Sequence, residues 1–205
     1  MIYDISTPLS ASTPTYPGDP PVRIDRLSDV ADGDEFTLSE ITMSLHAGTH
    51  IDAPSHYIPG APSIADIPLD ILTGEATLAD IPAPGPITPS VLENLSLPQT
   101  AARLLLRTPD SPDETALDRS AAQWLVDAGV KLIGIDSLSI GLSDQDAEVH
   151  RTLLAARVVI IESLNLTAPP PGQHHLICLP LNIPSAEASP ARVILVDRRQ
   201  VSHQG

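Results

Sequence analysis

Cysteine is nearly absent. Cys178 stands alone in the chain, so no intrachain disulfide can form. It lies in the apolar run Leu176-Ile177-Cys178-Leu179 and reads as a small buried hydrophobe inside a predicted strand rather than as a nucleophile. Aromatic residues make up only 2% of the chain, with Phe36 and Trp124 each the sole example of its type. Leucine, isoleucine, valine and alanine must therefore build the core. Lysine is reduced to Lys131, and 11 basic residues face 26 acidic ones for a net charge of −15. A surface that negative repels phosphate backbones and anionic lipid heads, which excludes nucleic acid and membrane surfaces as main partners. The acid-rich, lysine-poor balance fits a high-salt habitat, and fits biased genome composition equally well. No apolar run approaches the ~20 residues that span a bilayer. Met1-Ile2-Tyr3-Asp4 has no basic stretch followed by an apolar one, as a signal peptide would. The expectation is a soluble cytoplasmic protein.

What is present points to one globular domain over residues 1–205. That length buries a sizeable core, and the 42% hydrophobic share is ordinary for such a chain. The 22 prolines are about twice the usual share and cluster at 14–21, 82–89 and 169–171, where they forbid regular structure. Strands are predicted at Tyr3–Ser6, Phe36–Leu45, Ala101–Thr108, Val130–Ile135, Arg157–Ile161, His175–Leu181 and Ala191–Asp197 from period-2 alternation or β-branched runs. Helices are predicted at Asp118–Ala128, capped by Asp118 and ended by Gly129, and at Asp144–Ala156, capped by Ser143 or Asp144. The order mixes alternating α/β with a strand-rich first half.

The chemistry is concentrated in Ser44-Leu45-His46-Ala47-Gly48-Thr49-His50-Ile51-Asp52-Ala53-Pro54-Ser55-His56, where three histidines and an aspartate fall within eleven residues. Imidazole suits zinc, iron and manganese, and carboxylate favours harder ions and can bridge two of them. Gly48 lets the backbone fold back and aim His46 and His50 at one point. Asp52 shares a face with His50 if the chain is extended, and Pro54 stiffens the exit toward His56. A lone loop histidine is usually solvated or a structural hydrogen-bonder; four ligand-type residues at this spacing point to a metal site. Farther along, Glu162 directly follows Val158-Val159-Ile160-Ile161. A carboxylate buried at that position demands a cation, either an arginine or a metal. His150, taken by itself on its helix, reads as facing solvent, and His174, His175 and His203 read as solvated or hydrogen-bonded.

The motif His46-x-Gly48-Thr49-His50-x-Asp52-Ala53-Pro54-x-His56 resembles the signature of the bacterial kynurenine formamidase group, within the wider cyclase-like metal hydrolase family that includes isatin hydrolases. The resemblance runs through nearly the whole chain. Asp4-Ile5-Ser6, Thr13-Pro14-Thr15-Tyr16-Pro17-Gly18-Asp19, Ile67-Pro68-Leu69-Asp70, Gly134-Ile135-Asp136-Ser137 and Glu162-Ser163-Leu164 are similar to further blocks of that family. It implies an α/β fold, a swivelling β/β/α domain with mixed sheets and a few helices, assembled as a homodimer or higher homo-oligomer. It implies two divalent metal ions per subunit, zinc or manganese. His46, His50 and Asp52 would bind the first ion and His150 the second, with Asp52 and Glu162 bridging them. His56 would be the catalytic acid/base. The implied reaction is metal-dependent hydrolysis of an aryl N-formyl amide, N-formyl-kynurenine to kynurenine and formate, a step of tryptophan catabolism. Tyr16 stands where that group carries a tryptophan against the substrate ring, and a tyrosine can also stack there. That departure leaves two alternatives open: an isatin-hydrolase-like opening of a cyclic amide or related small cyclic substrate, and a non-catalytic metal-dependent binding protein on the same scaffold.

Overall fold

The computed structural model describes residues 1–95, 97–98, 101–109 and 115–197; His203 lies outside them. The strands are β1 Ile2–Asp4, β2 Arg23–Ser28, β3 Leu38–Thr42, β4 His50–Asp52, β5 Thr73–Asp80, β6 Arg103–Arg107, β7 Leu132–Ile135, β8 Val159–Glu162, β9 Gly172–Pro180 and β10 Ala188–Val196. Four helices accompany them among the described residues: α1 Leu69–Leu72, α2 Pro89–Glu93, α3 Arg119–Asp127 and α4 Asp146–Ala155. None of these helices is long and apolar enough to cross a membrane.

Eight strands form one mixed sheet in the order β1-β10-β4-β8-β7-β6-β5-β9, and β9 also pairs with β10, so the sheet closes on itself. The β5-β6-β7-β8 block is parallel; the other pairings are antiparallel. The parallel strands are near-continuous apolar runs because both of their faces are covered. Leu104, Leu106, Ile133, Ile135 and Ile160 point to one side, where Ala121, Ala122 and Leu125 of α3 and Val149, Leu153 and Leu154 of α4 cover them. Leu105, Leu132, Val159 and Ile161 point to the other side, against Ile5, Ile51, Leu78 and Leu176. The result is a sheet-dominated α/β fold with few helices, as the resemblance implied. Cys178 is fully buried in this second cluster, and burial pushes its thiol pKa up, consistent with an inert side chain.

Helix α3 forms as read: the Asp118 carboxylate accepts from the Ala121 N–H at 2.7 Å, and Gly129 takes φ 78° just past its end. Two expectations need correction. The strand predicted at Phe36–Leu45 is shorter and lies off the main sheet. Only Leu38–Thr42 is extended, it pairs with β2 alone, and Ile41 is 50% exposed. Alternation reports which residues share a face, not whether anything covers that face. Helix α4 starts at Asp146, and its N-cap is Gln145 with no side-chain bond, not Ser143 or Asp144. A turn bond from Gln145 N–H to the Leu142 carbonyl and a bond from the Ser139 hydroxyl to the Asp146 carboxylate set that start instead. Strands β2, β4 and β5 and helices α1 and α2 had no distinct signal in the sequence.

Candidate metal centre

Strand β4 is only three residues long, yet it holds the centre together. It lies between β10 and β8, with Ile51 paired to Ile161 and His50 paired to Glu162. Ile51 fills the core. His50 and Asp52, two residues apart on an extended chain, therefore turn to the opposite face together. The turn before β4 needs its glycine. Gly48 has φ 64°, and a Cβ there would lie 2.7 Å from Leu9 Cδ2. After β4, Ala53 stays extended and Pro54 opens a single 3₁₀ turn, Pro54–His56. That turn brings the His56 ring to 4.3 Å from the His46 ring, centroid to centroid. Helix α4 supplies His150 and the end of β8 supplies Glu162.

These side chains converge out of solvent. His50, Asp52, His150 and Glu162 are each at most 5% exposed. His50 Nε2 lies 3.3 Å from Glu162 Oε2 and 3.5 Å from Asp52 Oδ1. His150 Nε2 lies 3.2 Å from Glu162 Oε1 and 3.5 Å from Asp52 Oδ2. His46 Nδ1 lies 3.1 Å from Asp52 Oδ1. His50 Nδ1 is 2.8 Å from the Gly48 carbonyl and His150 Nδ1 is 2.9 Å from the Asp146 carbonyl. Carbonyls only accept, so both Nδ1 atoms carry the hydrogen and both Nε2 lone pairs face carboxylates. Such an arrangement repels unless a cation, proton or metal, lies between. Backbone-anchored imidazoles of this kind are the usual outer support of metal sites.

The electrostatics state the same demand. Burial alone would lower the pKa of His50, but the Glu162 and Asp52 carboxylates outweigh it and hold it at about 9. Burial opposes protonation of His150 too, and Asp146, Asp52 and Glu162 together still raise its pKa far above the ordinary range. Burial would raise the pKa of Glu162; its bonds with His150 and His50 bring it down to about 2. Asp52 is likewise held well below its usual value by His150 and His46 against the effect of burial. His56 differs: burial lowers its pKa below the ordinary histidine value.

The residues fit a divalent metal ion. His50 Nε2 and both Asp52 oxygens are buried without a completed hydrogen bond among the described residues. Two donor groups, His46–Asp52–His56 and His50–Asp52–Glu162, each have their ligand atoms within 4.8 Å of one another, and Asp52 belongs to both. This grouping sets His56 beside His46, whereas the family resemblance pairs His46 with His50. An imidazole-plus-carboxylate donor set accepts zinc, manganese or iron.

A cleft of about 160 Å³ opens over the cluster, with Tyr16, Asp19, Tyr57, Leu138 and Ser139 on its walls. Tyr16 also lines a neighbouring cleft of about 250 Å³ with Ala116, Leu138 and Gly141, so it stands between the two. Tyr57 stacks on His150 at 5.0 Å and carries the Arg151 guanidinium 5.5 Å from its ring centre. All seven residues singled out in the sequence, Tyr16, His46, His50, Asp52, His56, His150 and Glu162, meet here. Asp19, Tyr57, Ser139, Asp146 and Glu187, whose carboxylate is 3.5 Å from His46 Nε2, were missed. Asp146 was findable, one helical turn before His150; the rest had no local signature. His174, which had no assigned role, is buried and hydrogen-bonded through Nε2 to the Pro170 carbonyl at 2.8 Å.

Residues 3–141 match the Cyclase family, described as "Putative cyclase". The chain belongs to the Cyclase family. Within it, this Cyclase-family chain is 33% identical to a kynurenine formamidase of Paracidovorax citrulli, over 95% of this chain and 96% of that one. It is 35% identical to a kynurenine formamidase of Bordetella avium, over 95% and 97%. Among solved structures, a potential metal-dependent hydrolase with cyclase activity superposes with a TM-score of 0.82 at 31% identity, covering 95% of this chain and 96% of that one. Isatin hydrolase A of Ralstonia solanacearum superposes with a TM-score of 0.81 over 96% and 92%, at 22% identity, a likeness of fold alone. The membership expected from the histidine motif is borne out.

Proposed function

We propose that this chain is a metal-dependent arylformamidase that hydrolyses N-formyl-kynurenine to kynurenine and formate, as a single domain over residues 1–205 in a homodimer or higher homo-oligomer of the cytoplasm. The observation that carries the reading is Asp52, a buried carboxylate common to two donor groups with neither oxygen hydrogen-bonded among the described residues. The full-length similarity to two kynurenine formamidases supports the substrate. One closed sheet flanked by both core clusters supports the single domain.

His46, His50 and Asp52 would hold one divalent ion and His150 the other, with Asp52 and Glu162 shared. Zinc is the proposed ion, and manganese suits the same donors. Ions held there supply the positive charge that acidifies water and polarises a carbonyl. His56, whose pKa is lowered by burial, is neutral near pH 7 and free to take a proton from the attacking water. It then returns that proton to the aniline nitrogen as the C–N bond breaks and formate leaves. Tyr16 and Tyr57, on the cleft walls, flank the aryl ring.

The test is turnover of N-formyl-kynurenine by zinc-loaded protein, with kynurenine and formate both quantified and isatin assayed alongside. Release of the two products in equal amounts is expected. Turnover of isatin alone would move the reading to cyclic-amide opening. Two bound metals with no hydrolysis across a panel of amides would leave a binding protein.

A further inference from the structure

The antiparallel pairing of β4 with β8 ends at His50 and Glu162. One more step of that register would set Thr49 opposite Ser163. The ladder cannot take that step, because Ser163 lies in the left-handed region at φ 56°, a conformation a non-glycine residue keeps only when its surroundings impose it. With the chain turned off the sheet, side chains replace the backbone partner. Thr49 Oγ1 donates to the Ser163 carbonyl at 2.6 Å, and Thr7 Oγ1 donates to the same carbonyl at 2.8 Å. Thr49 Oγ1 in turn accepts from the Thr7 N–H at 2.8 Å, and the Ser163 N–H donates to the Ser137 carbonyl at 2.9 Å.

The Thr49 hydroxyl is thus a node joining three stretches far apart in sequence: the amino-terminal loop, the histidine turn and the end of β8. His50 follows Thr49 along the chain and pairs across the ladder with Glu162, and the two side chains meet at 3.3 Å. Thr49 is 3% exposed, lies behind the cluster and is absent from the cleft wall, so it touches no reacting group. We propose that Thr49 is a positioning residue: its hydroxyl holds the left-handed turn at Ser163 and thereby holds the Glu162 carboxylate where, with His50 and Asp52, it grips a divalent cation. This rests on reading the cluster as a metal centre. A merely structural threonine would add to stability and leave the metal affinity of the folded protein unchanged.

The experiment compares full-length Thr49→Val, Thr49→Ser and Thr7→Val with the unsubstituted protein. It measures the zinc dissociation constant of metal-stripped protein by chelator competition, beside the urea midpoint. Thr49→Val keeps the shape and removes the hydroxyl; its zinc affinity is expected to fall roughly tenfold or more, the scale on which lost outer support weakens metal sites. Thr49→Ser is expected to restore it, and Thr7→Val, which keeps the shorter Thr49 bond to the carbonyl, to fall between. Wild-type affinity in Thr49→Val, or Thr49→Ser as weak as Thr49→Val, overturns the proposal. If Thr49→Val does not fold, Thr49→Ala takes its place, and wild-type zinc affinity in that variant overturns the proposal equally. Unsubstituted protein that binds no zinc and no manganese overturns the metal centre itself and this inference with it, a result recognisable without any variant.

Discussion

Asp52 and His56 stand four residues apart and do different work. Asp52 belongs to both donor groups and sits 1% exposed among imidazoles that need its charge. Asp52→Asn preserves the shape and removes the charge, so on the proposed two-ion reading it is expected to empty both positions rather than one. Elemental analysis after gel filtration checks this, and full retention of metal would remove Asp52 from its shared role. His56 is only half-buried, and its lowered pKa suits proton transfer near neutrality. His56→Ala is expected to keep the metal and lose about 10²–10⁴-fold in kcat. Steady-state kinetics on metal-replete variant decides it, and an unchanged kcat would assign the proton transfer elsewhere.

At the scale of elements, the site depends on one short strand and the turn that feeds it. Gly48 combines a positive φ with a close approach to Leu9. Gly48→Ala is expected to destabilise the protein by ~1–3 kcal/mol from backbone strain and to weaken metal binding, because His46 and His50 flank it. Adding Leu9→Ala relieves the contact but not the φ, so only part of the loss should return in urea melts. Full recovery in the double variant would show that the contact, not the backbone, set the cost. The histidine turn and helix α3 were legible because their signals are local: ligand spacing, an N-cap aspartate, a closing glycine. The start of α4 was not, since a turn bond and the Ser139 hydroxyl, rather than a capping side chain, decide it. Strand β3 is shorter than Phe36–Leu45 and pairs only with β2, because alternation marks a shared face without fixing what covers it.

For the whole molecule, charge governs behaviour. In metal-free protein the pKa of His50 is raised to about 9. Its contribution to stability is therefore complete below its ordinary value near 6.5 and is lost as pH rises through about 9. The pKa of Glu162 is lowered to about 2, so its contribution is present above its ordinary value of 4.5 and disappears as pH falls through about 2. Urea midpoints of the metal-free chain are expected to peak between about pH 4.5 and 6.5, with metal restoring the alkaline side; a flat profile from pH 6 to 10 would contradict this. The net charge of −15 predicts a second solvent response. Added KCl screens the self-repulsion and should raise Tm, and a Tm indifferent to KCl rejects the high-salt reading of the composition.

By itself the sequence determined the residue types and their local geometry. It set a glycine-hinged turn carrying His46 and His50, a two-residue spacing to Asp52 that shares a face only once the chain is extended, and a proline-stiffened path to His56. It also set a carboxylate at the end of a buried β-branched run. Residues alone do not place Glu162 or His150, and on its own helix His150 reads as solvent-facing. Only the tertiary structure decided that α4 turns His150 inward and that β8 pairs with β4 so that His50 faces Glu162. The reason is physical: strand pairing across more than a hundred residues and the burial of charge depend on which surfaces the closed sheet brings together, and neither leaves a mark on local sequence spacing.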